Sequence, residues 1–202
     1  MNDDGTMARM PDLKEFTAVH DVGILSVVDL IHYRHRTERF VTRIDSAPFS
    51  SELGQFELHL YRNELDGGHH LAFVKGDISS DEPVLTRVHA ASVLSDALLC
   101  HPGGGGDELR RSLDMIESEG RGVLVYLRLK DKETSLRRDF RLLGGQAPAP
   151  EKSTVGFRDF GVGAQILADL GLRNVRVLTN HPKRLVALDG FGINVFEQIP
   201  IQ

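Results

Sequence analysis

The stretch that decides the fold is HAASVLSDALLCHPGGGGDE, residues 89–108. It follows an alternating segment at 84–88, which predicts a half-buried strand. Its four consecutive glycines, Gly103 to Gly106, run directly into a predicted helix at 107–119. A strand, a glycine loop and a helix N-terminus in this order can hold an anion on unpaired backbone N–H groups. The alternative is a flexible loop, since a glycine run alone is a weak signal.

The composition predicts a folded domain that works without nucleic acid or membrane. The 202 residues are 41% hydrophobic and 26% charged, with a net charge of -5. Negative charge argues against nucleic-acid binding through bulk electrostatics. There is no apolar run long enough to cross a bilayer and no apolar core of a secretion signal, so we expect a cytoplasmic protein. The single cysteine, Cys100, excludes an internal disulfide and every multi-cysteine zinc site.

The N-terminal half reads as a leader, a helix and a group of strands. Residues 1–20 are predicted to be a disordered leader, and residues 21–202 to form the domain. A helix is expected at 24–39, with Ser26 as its N-cap and a solvated basic end. The predicted strands before the glycine run lie at 40–44, 54–61, 70–75 and 84–88. The sequence Glu64-Leu65-Asp66-Gly67-Gly68 favours an antiparallel hairpin between the second and third of them.

The C-terminal half alternates between strands and helices. A strand buried on both faces is predicted at 122–129, and a mobile, charged and Pro/Gly-rich excursion follows at 130–152. The remaining elements are a helix at 161–170, a strand at 174–179, a helix that Pro182 opens, and a strand at 193–200. This alternation of helices and strands predicts an α/β protein.

Several polar side chains fall where such a fold binds ligands. The segment Thr179-Asn180-His181-Pro182-Lys183-Arg184 lies at the carboxyl end of a strand and opens a helix, which suits a phosphate as well as it suits a capped helix with solvated charges. His89 lies at the end of a predicted strand, just before the glycine loop. Cys100 and His101 are adjacent, and neighbouring side chains in an extended loop rarely bind one metal together. Arg158 by itself reads as a surface arginine paired with Asp159.

These motifs resemble the GTP cyclohydrolase II family of riboflavin biosynthesis. The segments that carry the resemblance occur in family order: ELDGGHHLAFVKGDI, LTRVHAASVLSDAL, GRGVLVYLR and RDFGVGAQILADLGLRNVRVLTNHPKRLVALDGFGINVFEQIPI. A further segment, VVDLIHYRHRTERFV, looks like the one that joins the two halves of the bifunctional riboflavin protein. The resemblance implies the family's mixed α/β fold and a homodimer.

The same resemblance implies that the zinc site of the family is missing. The family holds one zinc through three cysteines, and these positions fall at Ser92, Gly103 and Gly105, which cannot replace thiolates. The family's Glu-Gly-Arg motif aligns near residues 131–133, which are Asp-Lys-Glu here. The position of its general-base aspartate is occupied by Gly156. We therefore expect no metal and no cofactor, although His89, Cys100 and His101 remain candidates for an alternative metal site.

The phosphate-binding half of the family site is better preserved. Arg158 matches the arginine proposed to attack the α-phosphate, so it is the catalytic candidate. The ligand-binding candidates follow from the Arg-Val-His motif, the helix after the glycine run and the C-terminal segment: Arg87, Val88, His89, Glu108, Thr179 and Arg184. The expected partner is a nucleotide or another phosphorylated small molecule.

Three functions are compatible with this pattern. The first is a divergent, zinc-less homologue that binds a phosphorylated ligand and performs altered chemistry, for example in specialised metabolism. The second is a non-catalytic partner or regulatory subunit. The third is a genuine GTP cyclohydrolase II, which would need another way to generate its hydroxide nucleophile.

Overall fold

The computed structural model describes most of the chain. The described residues are 5–26, 29–30, 33–34, 37–100, 107–128, 136–137, 140–141, 143–144, 154–180, 188 and 190–201, with only the backbone described for 154–160. The chain divides into two compact units, Met1–Glu38 and Arg39–Gln202. In the described ranges, every helix is too short or too polar to cross a bilayer.

The first unit contains a helix where the sequence predicted a disordered leader. Helix α1, Met10–His20, has Pro11 in its first turn, where the missing N–H costs nothing. The Asp12 carboxylate accepts a hydrogen bond from the Arg9 backbone N–H at 2.7 Å, which closes the N-terminus. Ser26 Oγ accepts a hydrogen bond from the Asp29 N–H at 3.0 Å and residues 29–30 are helical, which agrees with Ser26 as an N-cap.

The second unit is built on one seven-stranded sheet, which confirms the predicted mixed α/β fold. Its strands are β1 Val41–Ser51, β2 Gly54–Asn63, β3 His69–Lys75, β4 Val84–Ala90, β5 Gly122–Leu127, β6 Asn174–Leu178 and β7 Asn194–Ile199. Their order in the sheet is β1-β2-β3-β5-β4-β6-β7. The β1-β2-β3-β5 pairs are antiparallel, whereas β4 is parallel to β5 and β6, and β6 is parallel to β7.

Among the described residues, two helices each cover one face of the sheet. Helix α2, Glu108–Glu119, buries Leu113 and Ile116 against Leu85 and Leu124. Helix α3, Thr154–Asp169, packs the other face through a second apolar cluster that contains Ile166, Leu167, Val123, Val125 and Leu127. Alternate residues of β5 enter the two clusters, so this strand is buried on both faces, as its apolar sequence predicted.

The predicted hairpin is confirmed, and two boundaries were wrong. β2 and β3 pair antiparallel across a turn in which Gly67 has a φ of +69°. β1 extends to Ser51 rather than ending at 44, and Pro48 is tolerated because β1 is an edge strand with mostly exposed residues. Helix α3 begins at Thr154 rather than at 161, so Arg158 lies inside this helix and not before it.

A glycine brings α3 close to the sheet. Gly163 lies inside the part of the helix that was predicted, at the point where the helix touches β4. A Cβ at this position would stand 2.9 Å from Val88 Cγ1, which is closer than carbon atoms normally approach. The glycine therefore permits close packing of α3 on β4, although it weakens the helix locally.

Candidate functional site

The candidate site lies at the carboxyl edge of the parallel half of the sheet. β4 runs between β5 and β6, and the chain passes from β4 to β5 on one side and then to β6 on the other. Such a switch point opens a crevice outside the carboxyl ends of the strands, where α/β proteins bind their ligands. The N-terminus of α2 lies at this edge, because Glu108 contacts both β4 and the end of β6.

Arg87 of β4 forms the centre of the first polar group at this edge. Its Nη2 donates to Glu108 Oε2 at 2.6 Å, and its Nη1 donates to the Leu178 carbonyl at 2.9 Å. The other Glu108 oxygen accepts from Asn180 Nδ2 at 3.1 Å, and Asn180 Oδ1 accepts from the Ile201 N–H at 2.9 Å. This chain of contacts joins β4, α2, the end of β6 and the residues that follow β7.

Burial shapes the electrostatics of the Arg87–Glu108 pair. The two side chains expose only 13% and 18% of their surface. Burial lowers the pKa of Arg87, and the carboxylate of Glu108 opposes that shift. Arg87 Nε is buried and has no hydrogen-bond partner among the described residues. The guanidinium is thus fixed by two hydrogen bonds, and its buried Nε–H has no partner in the described part of the chain.

His89 forms the centre of a second polar group on the same face of β4. Its Nε2 lies 2.9 Å from Asp96 Oδ1, and its ring stacks on Tyr126 of the neighbouring strand with centroids 5.6 Å apart. Asp96 Oδ2 accepts from the Tyr126 hydroxyl at 2.8 Å and from the Ser92 N–H at 2.9 Å. His89 Nδ1 is buried without a partner in the described part of the chain.

A single π-helical turn, Val93–Ala97, carries Asp96 toward His89. Burial raises the pKa of Asp96, but hydrogen bonds from His89, Ser92 and Tyr126 outweigh burial and leave it below its ordinary value. Burial, and then the bond to Asp96, raise the pKa of Tyr126 well above its ordinary value. The carboxylate is therefore ionised and the phenol is neutral at physiological pH.

The Asp96→Asn variant is expected to lose stability at pH 7 and to have a shallower acid limb of unfolding. A depressed folded pKa means that the unfolded state binds the extra proton, so the contribution is present above the unfolded pKa of ~3.9 and lost as the pH falls through the folded pKa. Loss of the ionic hydrogen bonds should cost about 1–3 kcal/mol at pH 7. Urea unfolding from pH 7 to 2 measures both effects. Asp114→Asn, an exposed carboxylate on α2, is the control. Parallel pH curves for wild type and Asp96→Asn would contradict this role.

The residues present do not fit the zinc site that the resemblance implies. Ser92 Oγ accepts a hydrogen bond from the Ser95 N–H at 3.2 Å and so caps the π-helical turn. Gly103 and Gly105 have no donor atom, and with His101 they lie outside the described residues. No group of three His, Cys, Asp or Glu side chains suitable for a metal occurs among the residues that are described. His89 Nε2 already contacts Asp96, and Cys100 is half-buried.

The N-terminus of α2 is also a poor anion cradle. Asp107 occupies the N-cap with a left-handed φ of 64° and without a side-chain capping bond, and Glu108 begins the first turn. Two carboxylates already offset the positive end of the helix dipole, so a further anion is disfavoured there. This weakens the idea that the glycine loop holds a phosphate.

The structure describes some of the other predicted site residues fully and others only in part. The side chain of Val88 faces α3 and packs where Gly163 approaches, so only its backbone could meet a ligand. Thr179 follows β6 directly, and its N–H donates to the Ile199 carbonyl at 2.8 Å. Arg158 is described by its backbone alone, and Arg184 lies outside the described residues. The structure thus brings together Arg87, Glu108 and Leu178, the last residue of β6 before Thr179.

Three contributors to the site were missed from the sequence. Asp96, Tyr126 and Leu178 take part through a π-helical turn, a neighbouring strand and a backbone carbonyl. The pairing of β4 with β5 sets His89 opposite Tyr126, which parallel register could have indicated. The carbonyl of Leu178 leaves no trace in a side-chain pattern.

The fold is that of an α/β protein, with a candidate ligand site at the carboxyl ends of its parallel strands. Comparison with known sequences shows which family of α/β proteins the chain resembles. The sequence profile of the family GTP cyclohydrolase II matches residues 42–200. The riboflavin biosynthesis protein RibBA of Bacillus subtilis is 38% identical over 211 residues, which cover all of this chain and 53% of that protein. RibBA of Aquifex aeolicus is 39% identical over 218 residues, covering all of this chain and 52% of that protein.

A solved structure agrees with these matches. The crystal structure of RibBX from A. baumannii, titled a two domain 3,4-dihydroxy-2-butanone 4-phosphate synthase, superposes with a TM-score of 0.63 at 31% identity. The match covers 98% of this chain and 52% of that one. The chain described here belongs to the GTP cyclohydrolase II family, and it spans about half the length of the relatives it matches.

Proposed function

We propose that this chain is a divergent, zinc-less member of its family that binds a nucleotide or another phosphorylated small molecule at the carboxyl edge of β4 and β6. One observation carries the proposal. Arg87 Nε and His89 Nδ1 are both buried, lie on the same face of β4, and have no partner among the described residues. A buried polar atom without a partner costs about 1–3 kcal/mol. A bound ligand that satisfies both atoms would recover that cost.

The electrostatics of the crevice suggest where the parts of such a ligand lie. Glu108 already neutralises the guanidinium of Arg87, and Asp107 adds a second carboxylate nearby in the chain. The match of Thr179 to a phosphate-contacting threonine of the family favours the end of β6 for the phosphoryl group, where Glu108 is already bonded to Arg87 and Asn180. Arg158 and Arg184 are the candidates to supply positive charge to it, with Arg158 the candidate for contact with the α-phosphate. A homodimer in the cytoplasm is the expected state of the protein.

The chemistry of this chain is proposed to differ from zinc-dependent ring opening. A zinc ion lowers the pKa of bound water from ~15.7 to ~7. The positions of the three thiolates hold Ser92, Gly103 and Gly105, and Ser92 serves as a helix cap. The A. baumannii protein matches 98% of this chain, and its title names a synthase activity and no cyclohydrolase activity.

A genuine GTP cyclohydrolase II activity is the second candidate, and the comparisons favour it. The family profile covers nearly all of the second unit, and the Bacillus and Aquifex relatives named above are riboflavin biosynthesis proteins at 38–39% identity over the whole chain. A non-catalytic role as a partner or regulatory subunit is the third. Ligand binding separates the first two candidates from the third, and product formation separates the first from the second.

Calorimetric titration with GTP, GMP and guanosine tests the binding site. Both phosphorylated compounds are expected to bind at least tenfold more tightly than guanosine, because the phosphoryl group provides charge-assisted hydrogen bonds. Thr179→Val is expected to weaken GMP binding without changing guanosine binding. Thr42→Val on the exposed face of β1 is the matched control. No heat from GTP, GMP or inorganic phosphate would contradict the proposal.

A further inference from the structure

We propose that Ser46 is a nucleophile that accepts an acyl group from an activated ester, with His59 as its general base. Ser46 lies on β1 and His59 on β2, and the two are direct partners across this antiparallel pair. Ser46 Oγ lies 2.8 Å from His59 Nδ1, which is the separation that proton transfer requires. A serine hydroxyl is a weak nucleophile by itself and becomes reactive when an adjacent base can take its proton. Strands β2, β3 and β5 separate Ser46 from β4, so the pair lies apart from the candidate ligand site.

A β-bulge in β1 turns the Ser46 side chain toward His59. The register between β1 and β2 shifts at Ile44, which adds one residue to β1. Arg43 lies opposite Tyr61. Three positions further along β1, Ser46 lies opposite His59, which is only two positions from Tyr61. Arg43 and Ser46 therefore share one face of the sheet, although strict alternation would place them on opposite faces. Bulges re-aim side chains in this way beside active sites.

The surroundings of His59 keep its imidazole in the form that a general base needs. Its side chain is only 5% exposed. Burial lowers the pKa of His59, the carboxylates of Glu57 and Asp169 oppose that shift, and the cation of Arg43 adds to it. The imidazole is therefore neutral at pH 7, with one ring nitrogen able to accept a proton. Glu57 Oε1 lies 3.8 Å from Nε2, the other ring nitrogen, and can stabilise the imidazolium that forms.

The hydroxyl of this pair is open to a substrate, whereas its base is shielded from water. Ser46 is exposed and lies on an edge strand of the sheet. Arg43 is on the same face, with 46% of its side chain exposed and its Nε 4.0 Å from Asp169 Oδ2. This cation can stabilise the negative charge that develops on the carbonyl oxygen of a bound ester. A hydrogen bond that only satisfied a buried histidine would not need an exposed hydroxyl as its partner.

The proposed step is an acyl transfer. Ser46 Oγ forms a bond to the carbonyl carbon of the ester, and the bond between that carbon and the leaving oxygen breaks. The hydroxyl proton passes to His59 Nδ1 and from there to the leaving oxygen. The products are an acyl ester of Ser46 and a free alcohol or phenol, so atoms and charges balance.

The reaction of the whole chain with 4-nitrophenyl acetate tests this step. A burst of nearly one 4-nitrophenolate per chain is expected, and peptide mass spectrometry should find the acetyl group on Ser46. Ser46→Ala should abolish the burst, and His59→Gln should slow it at least about 100-fold, because general-base catalysis contributes that much. Ser79→Ala is the matched control, since Ser79 is also exposed but its hydroxyl donates to Asp77 at 2.6 Å. This variant should react like the wild type.

Three results would overturn the proposal. The first is the absence of a burst, and the second is an acetyl group on other residues while Ser46 stays unmodified. The third is an equal rate for His59→Gln and the wild type, which would make the pair a structural contact only. Circular dichroism checks the fold of the variants, and the exposed Ser46→Ala keeps the test valid if His59→Gln does not fold. Ser46→Ala should bind GMP as the wild type does, so this test and the test of the β4 site are independent.

Discussion

Replacing Arg87 with methionine is expected to destabilise the second unit by about 3–5 kcal/mol, because it breaks a buried ion pair and leaves one charge behind. Glu108 would keep a carboxylate that is only 18% exposed without its cation, and the Leu178 carbonyl would lose its donor. Methionine keeps the length of the side chain, so the loss reports on charge and hydrogen bonding more than on volume. Urea unfolding at pH 7 measures it.

A second substitution should reverse most of that loss. Combining Arg87→Met with Glu108→Leu removes both charges and leaves two apolar side chains in contact, which is often neutral for a buried pair. Arg62→Met is the matched control, because Arg62 pairs with Glu64 at 3.7 Å where both side chains are about half exposed. It should change the free energy of unfolding by less than about 1 kcal/mol. A mild effect of Arg87→Met, equal to that of the control, would show that the pair does not hold β4, α2 and β6 together.

Incubation of the purified protein with GTP is expected to release no formate above the uncatalysed background. Zinc-bound water and bulk water differ by roughly 8.7 units in pKa, which corresponds to about 12 kcal/mol at ~1.36 kcal/mol per unit. None of the three residues at the family's zinc positions, Ser92, Gly103 and Gly105, can supply a thiolate. Elemental analysis should correspondingly find zinc far below one ion per chain.

A gain-of-function variant makes that result informative. Ser92→Cys combined with Gly103→Cys and Gly105→Cys is expected to retain zinc near one ion per chain, measured by the same elemental analysis. Ser92→Ala with both glycines unchanged is the control for the lost helix cap. Stoichiometric zinc in the wild type together with formate from GTP would establish the genuine cyclohydrolase and remove the zinc-less proposal.

The parts of the fold that follow local rules could be predicted from the sequence. Asp66, Gly67 and Gly68 specify the β2–β3 turn by themselves, and the unbroken apolar run of β5 indicates burial on both faces. The helix at Glu108–Glu119 was predicted within one residue, because its apolar residues repeat at helical spacing. Each of these signals lies within a few residues of the element that it specifies.

The remainder depends on contacts that are distant in the chain. The sequence gives no reason for β1 to continue through Pro48 until the strand is known to lie at the edge of the sheet. Gly163 falls inside a predicted helix, but the reason for a glycine there is seen only once Val88 is placed beneath it. The Arg87–Glu108–Leu178 contacts join residues 21 and 91 positions apart, and the pairing of His89 with Asp96 requires an unusual π-helical turn. Predicting the site therefore requires the topology of the sheet first.

The central place of β4 has a consequence for synthesis on the ribosome. Strands β1, β2, β3, β5 and β4 can assemble once residue 127 has emerged, and β4 then forms the outer rim of a five-stranded intermediate. That rim stays open until β6, at 174–178, leaves the exit tunnel and covers it. An unpaired strand edge in a nascent chain invites association with other chains. Translation pauses between these two points should therefore lower the yield of native protein more than pauses elsewhere.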